Sequence, residues 1–544
     1  MKKIRIFAVA AACLLAAPTF VLAGCSAQDD TVVLRVSNWE EYIDLGDWGD
    51  DEAIDIENPY TGEDYIMGVN SVIDDFTEWF NSQNYGFDVR VEYSTFGTNE
   101  DLYNQLNLGD VYDLVCPSDY MIMKLLAEDE IQPFSEEFMD ESNPENYYIN
   151  GVSEYIDGTD GSIFDQYGWN GIAACYMWGT TGFVFNPELV DEDNADVAAC
   201  NILTNSDYYK SVTVKDNVRD AYFAALSILF EDELNAINAD ENMSEEEKNA
   251  ARSELLNNTD DETIAAAEDI LKDIKDNVYS FETDSGKTDM VTGKVIANYQ
   301  WSGDAVYIMD QADEENTELW YSVPEESTNL WFDGWVMLKD GIAGNEQRQI
   351  AAEAFVNFLS RPDIAVRNMY YIGYTSSIAA DEVFNYFDWC YGVVTDEDSE
   401  DFYEFDNVYV YDVSYFFGED SYIYIDMDTV DVHGATLTHD YEDDDYVAGY
   451  PVYSGGTISI GRQAFGQYPT GDVINRSVVM LDFGDDLAAI NQMWINVRCL
   501  GVTDIDVMTV VIVAIVIAVI AAAIVLYRFR FAIFYNRPGK RADV

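Results

Sequence analysis

Four short stretches set an aromatic ring beside a polar or acidic side chain: Asn38-Trp39-Glu40-Glu41-Tyr42, Pro117-Ser118-Asp119-Tyr120, Gln300-Trp301-Ser302-Gly303-Asp304 and Trp331-Phe332-Asp333-Gly334. Trp and Tyr rings offer apolar faces and attract cations through their quadrupoles, by about 0.5–2 kcal/mol each. Carboxylates accept charge-assisted hydrogen bonds from protonated amines. A crevice gathering these stretches suits a ligand that is both apolar and cationic. Paired carboxylates flanked by rings also describe a glycosidase cleft, which would require turnover of a glycan. Other enzyme chemistry finds little support, because there is no Ser-His-Asp set and no phosphate-binding Gly loop. The two histidines, His433 and His439, make no metal-ligand spacing with cysteines, and no calcium-type Asp-x-Asp-x-Asp-Gly loop occurs. The expectation is a binding protein rather than an enzyme, with no cofactor and no metal.

The 544 residues include 103 Asp plus Glu against 27 Lys plus Arg, a formal net charge of -76. That balance excludes a nucleic-acid binder, since nothing could neutralise phosphates. Yet 48% of residues are hydrophobic, with 38 Tyr, 28 Phe and 11 Trp, too much apolar matter for an acidic disordered chain. Most of the acidity must therefore lie on the solvated face of a folded protein. In so aromatic a chain, any single ring is more often core than ligand wall. Beyond Cys13 and Cys25, five cysteines remain with no Cys-x-x-Cys pair, so a disulfide is permitted but not predicted.

The elements that must position the four stretches follow an α/β order. Val32 to Ser37 is a β-rich run, and Val72, Ile73, Phe76, Trp79 and Phe80 share a helical face. Phe87 to Tyr93 alternates apolar and polar residues as a strand does; Leu102 to Leu108 suggests a helix, and Asp113 to Cys116 a short buried strand before Pro117. Such a β-α-β-α-β order builds a parallel sheet whose strand ends are open to ligands. Farther on, Ser244 to Leu256 reads as a charged, exposed helix, while Asp261 to Lys275 and Gln347 to Leu359 read as packed ones. Asp216 and Asp220 precede a helical run from Ala221 to Phe230, so either is also an N-cap candidate, as is Ser118 for the helix leading into Ile122 to Leu126. The Tyr- and Asp-rich segment from Asp381 to Gly461 is expected to be an inserted arm, with Val408 to Tyr415 and Tyr422 to Asp426 as exposed strands.

Both ends of the chain carry membrane signals. Lys2, Lys3 and Arg5 precede an apolar run that ends in Leu22-Ala23-Gly24-Cys25, a secretory signal whose ending resembles a bacterial lipobox. The expectation is a lipoprotein signal peptide over 1–24 and a lipid anchor on Cys25. Val507 to Tyr527 is an uncharged run of about 20 residues, long enough to cross a bilayer as one helix. Arg528, Arg530, Arg537, Lys540 and Arg541 follow it, so the positive-inside bias puts the 528–544 tail in the cytoplasm and the body outside the cell membrane.

The four stretches, together with Tyr93-Ser94-Thr95, Tyr112-Asp113-Leu114-Val115, Tyr176 to Gly182, Phe358-Leu359-Ser360-Arg361-Pro362 and Ile372-Gly373-Tyr374-Thr375, resemble the bacterial extracellular solute-binding proteins of spermidine and putrescine ABC transporters. The resemblance implies a two-lobed, periplasmic-binding-protein-like α/β fold of type II whose chain crosses between lobes twice, near Trp178 to Phe183 and Ser322 to Leu330. It divides the body into lobe 1 (25–180 and 328–380) and lobe 2 (181–327 and 381–500, with the acidic arm at 381–461). It implies an aromatic box of Trp39, Tyr42, Tyr120, Trp301, Trp331 and Tyr374, with Glu41, Ser118, Asp220 and Asp333 at polar positions. One family carboxylate falls on Asn217, with Asp216 just before it, so either Asp216 takes that role or one ammonium contact is lost. Met480 stands where a Gln contact is expected. Implied partners are a polyamine, a membrane permease and a cytoplasmic ATPase, with membrane lipid at the two anchors. A surface adhesion or scaffold protein, or a receptor for another organic cation, is the competing expectation.

Overall fold

β-branched and aromatic residues build Val32–Trp39 and Val89–Phe96, which pair in parallel from Val32 opposite Val89 to Trp39 opposite Phe96. Leu114–Val115 adds on the other side of Val32–Trp39, also in parallel. Parallel pairing needs crossovers, and these are the helices Val72–Ser82 and Asn99–Leu108. The first buries Val72, Phe76 and Phe80, the helical stripe legible in the sequence, and Ser71 caps it by accepting from the Asp74 amide. The computed structural model describes residues 31–46, 54–57, 64–67, 69–157, 161–190, 195–393, 406–438 and 451–499, with 515, 516, 519 and 520. The signal segment, Cys25, His439 and most of the Val507 to Tyr527 run lie outside the described residues, among which no helix is long and apolar enough to cross a membrane.

A second parallel group comprises Val212–Lys215 between Ser280–Glu282 and Ala297–Trp301. It is covered by the helices Val218–Leu229 and Asp261–Asn277. Two long strands join the groups. Ala174–Phe185 and Thr328–Leu338, both buried along their whole length, run antiparallel with Leu330 opposite Thr180 and Trp335 opposite Ala174. Ala174–Phe185 pairs with Ala297–Trp301 of the second group, and Thr328–Leu338 with Leu114–Val115 of the first. The strands named here lie in one 14-stranded sheet. Alternation along the crossing strands sends Trp331 and Asp333 to one face, and Phe332 to the other, where it stacks on Trp178.

The arm is less exposed than its polarity suggests. Val408–Asp412 and Tyr422–Asp426 form a four-stranded sheet with Val452–Ser454 and Thr436–Thr438, and Val408, Tyr411, Ile423 and Ile425 are buried. Phe416 stacks on Trp178 with centroids 5.2 Å apart, and Ser153 donates to its carbonyl. The Tyr411 hydroxyl donates to the Tyr468 carbonyl, so a residue type that reads as surface supplies core with a satisfied polar tip. The charged helix Glu245–Leu256 likewise buries Arg252 and Leu256, with Arg252 donating to the Asn475 carbonyl. Among the described residues, Cys116, Cys175, Cys200 and Cys499 are free thiols.

Candidate functional site

Asp333 sits in the crossing strand and is buried. The Tyr42 hydroxyl donates to its Oδ2 at 2.7 Å and the Ser118 hydroxyl to its Oδ1 at 2.7 Å. Ser118 is the N-cap residue of the helix Asp119–Ala127 but makes no side-chain cap: its hydroxyl donates to Asp333 and accepts from the Asn99 amide. Among the described residues no Lys or Arg forms an ion pair with Asp333. Burial pushes its carboxyl up to about 6, against the two hydroxyl bonds that favour the anion. Burial and the neighbouring Asp333 push the Tyr42 phenol up as well, so Tyr42 remains a donor.

Aromatic rings wall this carboxylate. Tyr42 meets Tyr374 edge to face at 4.9 Å, and Tyr374 meets Trp331 at 5.7 Å. A Cβ on Gly179 would lie 2.6 Å from the Trp331 ring, so glycine lets that indole lie against the crossing strand, where its N–H donates to the Thr180 carbonyl. Asn99 links Ser118 to Tyr120, donating to both hydroxyl oxygens. Asp119, beside them, accepts from the Tyr120 and Phe332 amides, and burial drives its carboxyl up to about 8. Trp39 tilts against Phe96 at 4.9 Å, and its buried indole N–H has no protein acceptor. Glu41 is exposed, in the left-handed region at φ 53°, and its charge acts on Lys287 and Tyr307 of the second group.

Residues of the second group pack against this wall. The Trp301 indole donates to Asp220 Oδ2 at 3.1 Å. Asn217, rather than either aspartate, is the N-cap of Val218–Leu229: its side-chain oxygen accepts from the Asp220 amide and its amide donates to the Asp220 carboxylate. Burial raises the Asp220 carboxyl, offset in part by Asn217, Lys215, Trp301 and Arg219. The carboxylate of Asp216 is taken by Arg498 at 2.7 Å, so the structure pairs it outside the cluster. Met480 is buried in the core of the second group. Contact between the two sides is tight: a Cβ on Gly303 would lie 2.2 Å from the Tyr374 ring.

Sequence reasoning missed the cations of the site. Lys215 lies 4.2 Å from the Trp301 ring centroid, and the Arg219 guanidinium 4.5 Å from that of Tyr120 and 3.5 Å from that of Phe483. Lys215 and Lys287 flank Asp304 at 3.4 and 3.0 Å; although burial opposes ionisation, Lys287 and then Lys215 hold its carboxyl below the usual range. Arg219 stands between Asn217 and Asp220, two positions that the resemblance marked, whereas nothing local marks Lys215 as buried. Among the described residues no cluster of acidic, His or Cys side chains could hold a metal ion.

Residues 73–383 match the family model for bacterial extracellular solute-binding proteins. The spermidine/putrescine-binding periplasmic protein of Salmonella typhimurium is 28% identical over 295 residues, covering 54% of this chain and 72% of that protein. A putrescine-binding periplasmic protein of Pseudomonas aeruginosa is 25% identical over 354 residues, 63% of this chain and 77% of the relative. Among solved structures, a lipoprotein of Treponema pallidum superposes with a TM-score of 0.51 at 15% identity, covering 86% of this chain and 99% of that one. That likeness carries the fold, a mixed α/β architecture of the periplasmic-binding-protein kind.

Proposed function

The chain belongs to the bacterial extracellular solute-binding proteins, and from that premise we propose that it captures polyamines of the spermidine and putrescine class and delivers them to an ABC permease driven by a cytoplasmic ATPase. The observation that carries this reading is Asp333: a buried carboxylate held by two hydroxyls, without a protein cation, between the rings of Tyr42, Trp331 and Tyr374. A protonated amine supplies the missing positive charge, and the rings cover its methylenes. Trp39, Glu41, Ser118, Tyr120, Asp220 and Trp301 complete the ligand contacts. Asp216 is left outside that set by its pairing with Arg498. The two groups of the sheet act as lobes, 25–180 with 328–380 and 181–327 with 381–500, that close on the ligand because the closed state binds it more tightly.

Anchoring follows the same reading. Cleavage after residue 24 leaves Cys25 as a lipidated first residue, and Val507 to Tyr527 crosses the membrane with the 528–544 tail in the cytoplasm. Ile515, Val516, Val519 and Ile520, the described residues of that run, are helical and expose half or more of their surface, as lipid-facing residues would. Deleting Val507 to Val544 leaves uptake intact if the helix only tethers the protein, and impairs it if the helix docks on the permease. The polyamine reading is tested by calorimetric titration of the full-length chain with putrescine, spermidine and spermine. Saturable binding at micromolar concentration or below is expected, and no heat from any of the three overturns it.

A further inference from the structure

The two sides of the crevice are charged differently. On the side of the first group, Asp333 has hydroxyl partners only, and Asp119 has backbone amides. The other side supplies two cations of the protein itself that already lie over box rings, Lys215 over Trp301 and Arg219 over Tyr120 of the first group. Lys215 closes the strand Val212–Lys215 at its C-terminal end, where ligands of parallel sheets bind, and its side chain is 1% exposed. Its ammonium donates to the Thr283 carbonyl at 2.6 Å, pairs with Asp304 at 3.4 Å and Glu282 at 3.8 Å, and lies over Trp301 at 4.2 Å. Arg219, buried between Tyr120 and Phe483, leaves Nε and Nη2 without a protein acceptor, so it presents donors to whatever enters there. Its nearest ion-pair partner, Asp482, is 4.0 Å away. The position that would add a carboxylate holds Asn217, whose amide is spent on the cap and on Asp220.

We propose that Lys215, seconded by Arg219, is a built-in substitute for one ammonium of the ligand, so that the site selects short amines, monoamines and diamines, against triamines and tetraamines. The inference rests on the polyamine reading and deepens it. A ligand ammonium brought to Trp301 would compete with Lys215 for the ring face and with Lys215 and Arg219 for the Asp220 carboxylate, in a medium that screens these charges poorly, whereas one at Asp333 would meet no ion-paired Lys or Arg among the described residues. Short diamines seat their charge near Asp333 and leave the ring of Trp301 to Lys215. Longer polyamines must drive a further charge toward Lys215 and Arg219.

Calorimetric titration of the full-length protein with putrescine, spermidine and spermine, repeated on Lys215→Met, tests this. The parent is expected to bind putrescine at least tenfold more tightly than spermidine, and Lys215→Met to move that ratio at least tenfold toward spermidine. The double change Lys215→Met with Asp304→Asn removes one charge of each sign and serves where the single variant does not fold; where neither folds, the parent's own ratio decides. Spermidine bound as tightly as putrescine by the parent, or a ratio unmoved in a folded variant, overturns the inference and leaves the polyamine reading standing. Failure of all three amines to bind the parent overturns the polyamine reading and this inference with it.

Discussion

At the scale of single residues, Asp333 is a buried carboxylate held by Tyr42 and Ser118, and its environment makes the candidate site sensitive to pH. Its carboxyl is pushed up by burial to about 6, above the ordinary value of 3.8. A group raised in this way favours the folded protein when protonated; that stabilisation is full below pH ~4 and is lost as pH rises through about 6. Asp119, raised to about 8 by burial, carries the same sign to higher pH. The ligand-free protein should therefore melt at higher temperature at pH 5 than at pH 8.5, by differential scanning calorimetry, and Asp333→Asn should flatten the dependence between pH 4 and 6. Amine binding runs the other way, because it needs the carboxylate: affinity should fall as pH drops below about 6, with proton release detectable in buffers of different ionisation enthalpy. Asp333→Asn should cost roughly 10- to 100-fold in affinity at pH 7.5, the worth of a hydrogen bond to a charged group. Equal affinity in the variant would remove Asp333 from the site. Much of this candidate site was legible, since Ser118, Asp333, Tyr42 and Trp331 lie in motifs with a ring or hydroxyl beside an acid, and Tyr374 in a motif of the resemblance. Lys215 was not: its partner Asp304 is 89 residues away, and a lysine bound for the interior looks like any surface lysine in the sequence.

At the scale of elements, the helix Ser302–Glu314 determines how closely the two sides approach, because its first turn carries Gly303 against the Tyr374 ring. Gly303→Ala would place a methyl 2.2 Å from that ring, and a buried tyrosine packed between Tyr42 and Trp331 has little room to yield. The expected result is a loss of amine affinity of tenfold or more, with a larger radius of gyration in solution scattering and a near-parental melting temperature. Parental affinity would show that closure does not bring these two surfaces together. Helices such as Val72–Ser82 and Asp261–Asn277 were readable because one face is apolar and the other charged. The crossing strands Ala174–Phe185 and Thr328–Leu338 were not readable by period, since they are buried on both faces and show no alternation. The strands of the arm misled for another reason: Tyr411 counts as half polar in a sequence, and only its bond to the Tyr468 carbonyl makes it core. Because Phe416 stacks on Trp178 of a crossing strand, Phe416→Ala should destabilise the protein by about 3–5 kcal/mol in urea unfolding, the range for losing a buried aromatic. A change below ~1 kcal/mol would mean that the arm is not packed on the crossing strands.

At the scale of the whole molecule, a formal charge of -76 surrounds a buried candidate site that contains its own cations. The two act on a ligand at different distances and can be separated by salt. The long-range field raises the local concentration of any cation and speeds its encounter, and it is screened beyond about 8 Å at physiological ionic strength. Contact with Asp333 inside a closed, ring-lined crevice is screened far less. Association of a polyamine measured by stopped flow should slow by tenfold or more between about 10 mM and 0.5 M salt, with a much smaller change in the dissociation rate. Asp333→Asn should keep the salt slope of association and raise the dissociation rate, because it removes one charge from a strongly negative surface but the central acceptor from the crevice. If the variant instead lost the salt slope and kept the parental dissociation rate, the field and the contact would be one effect, and the crevice would have no specific hold on its ligand.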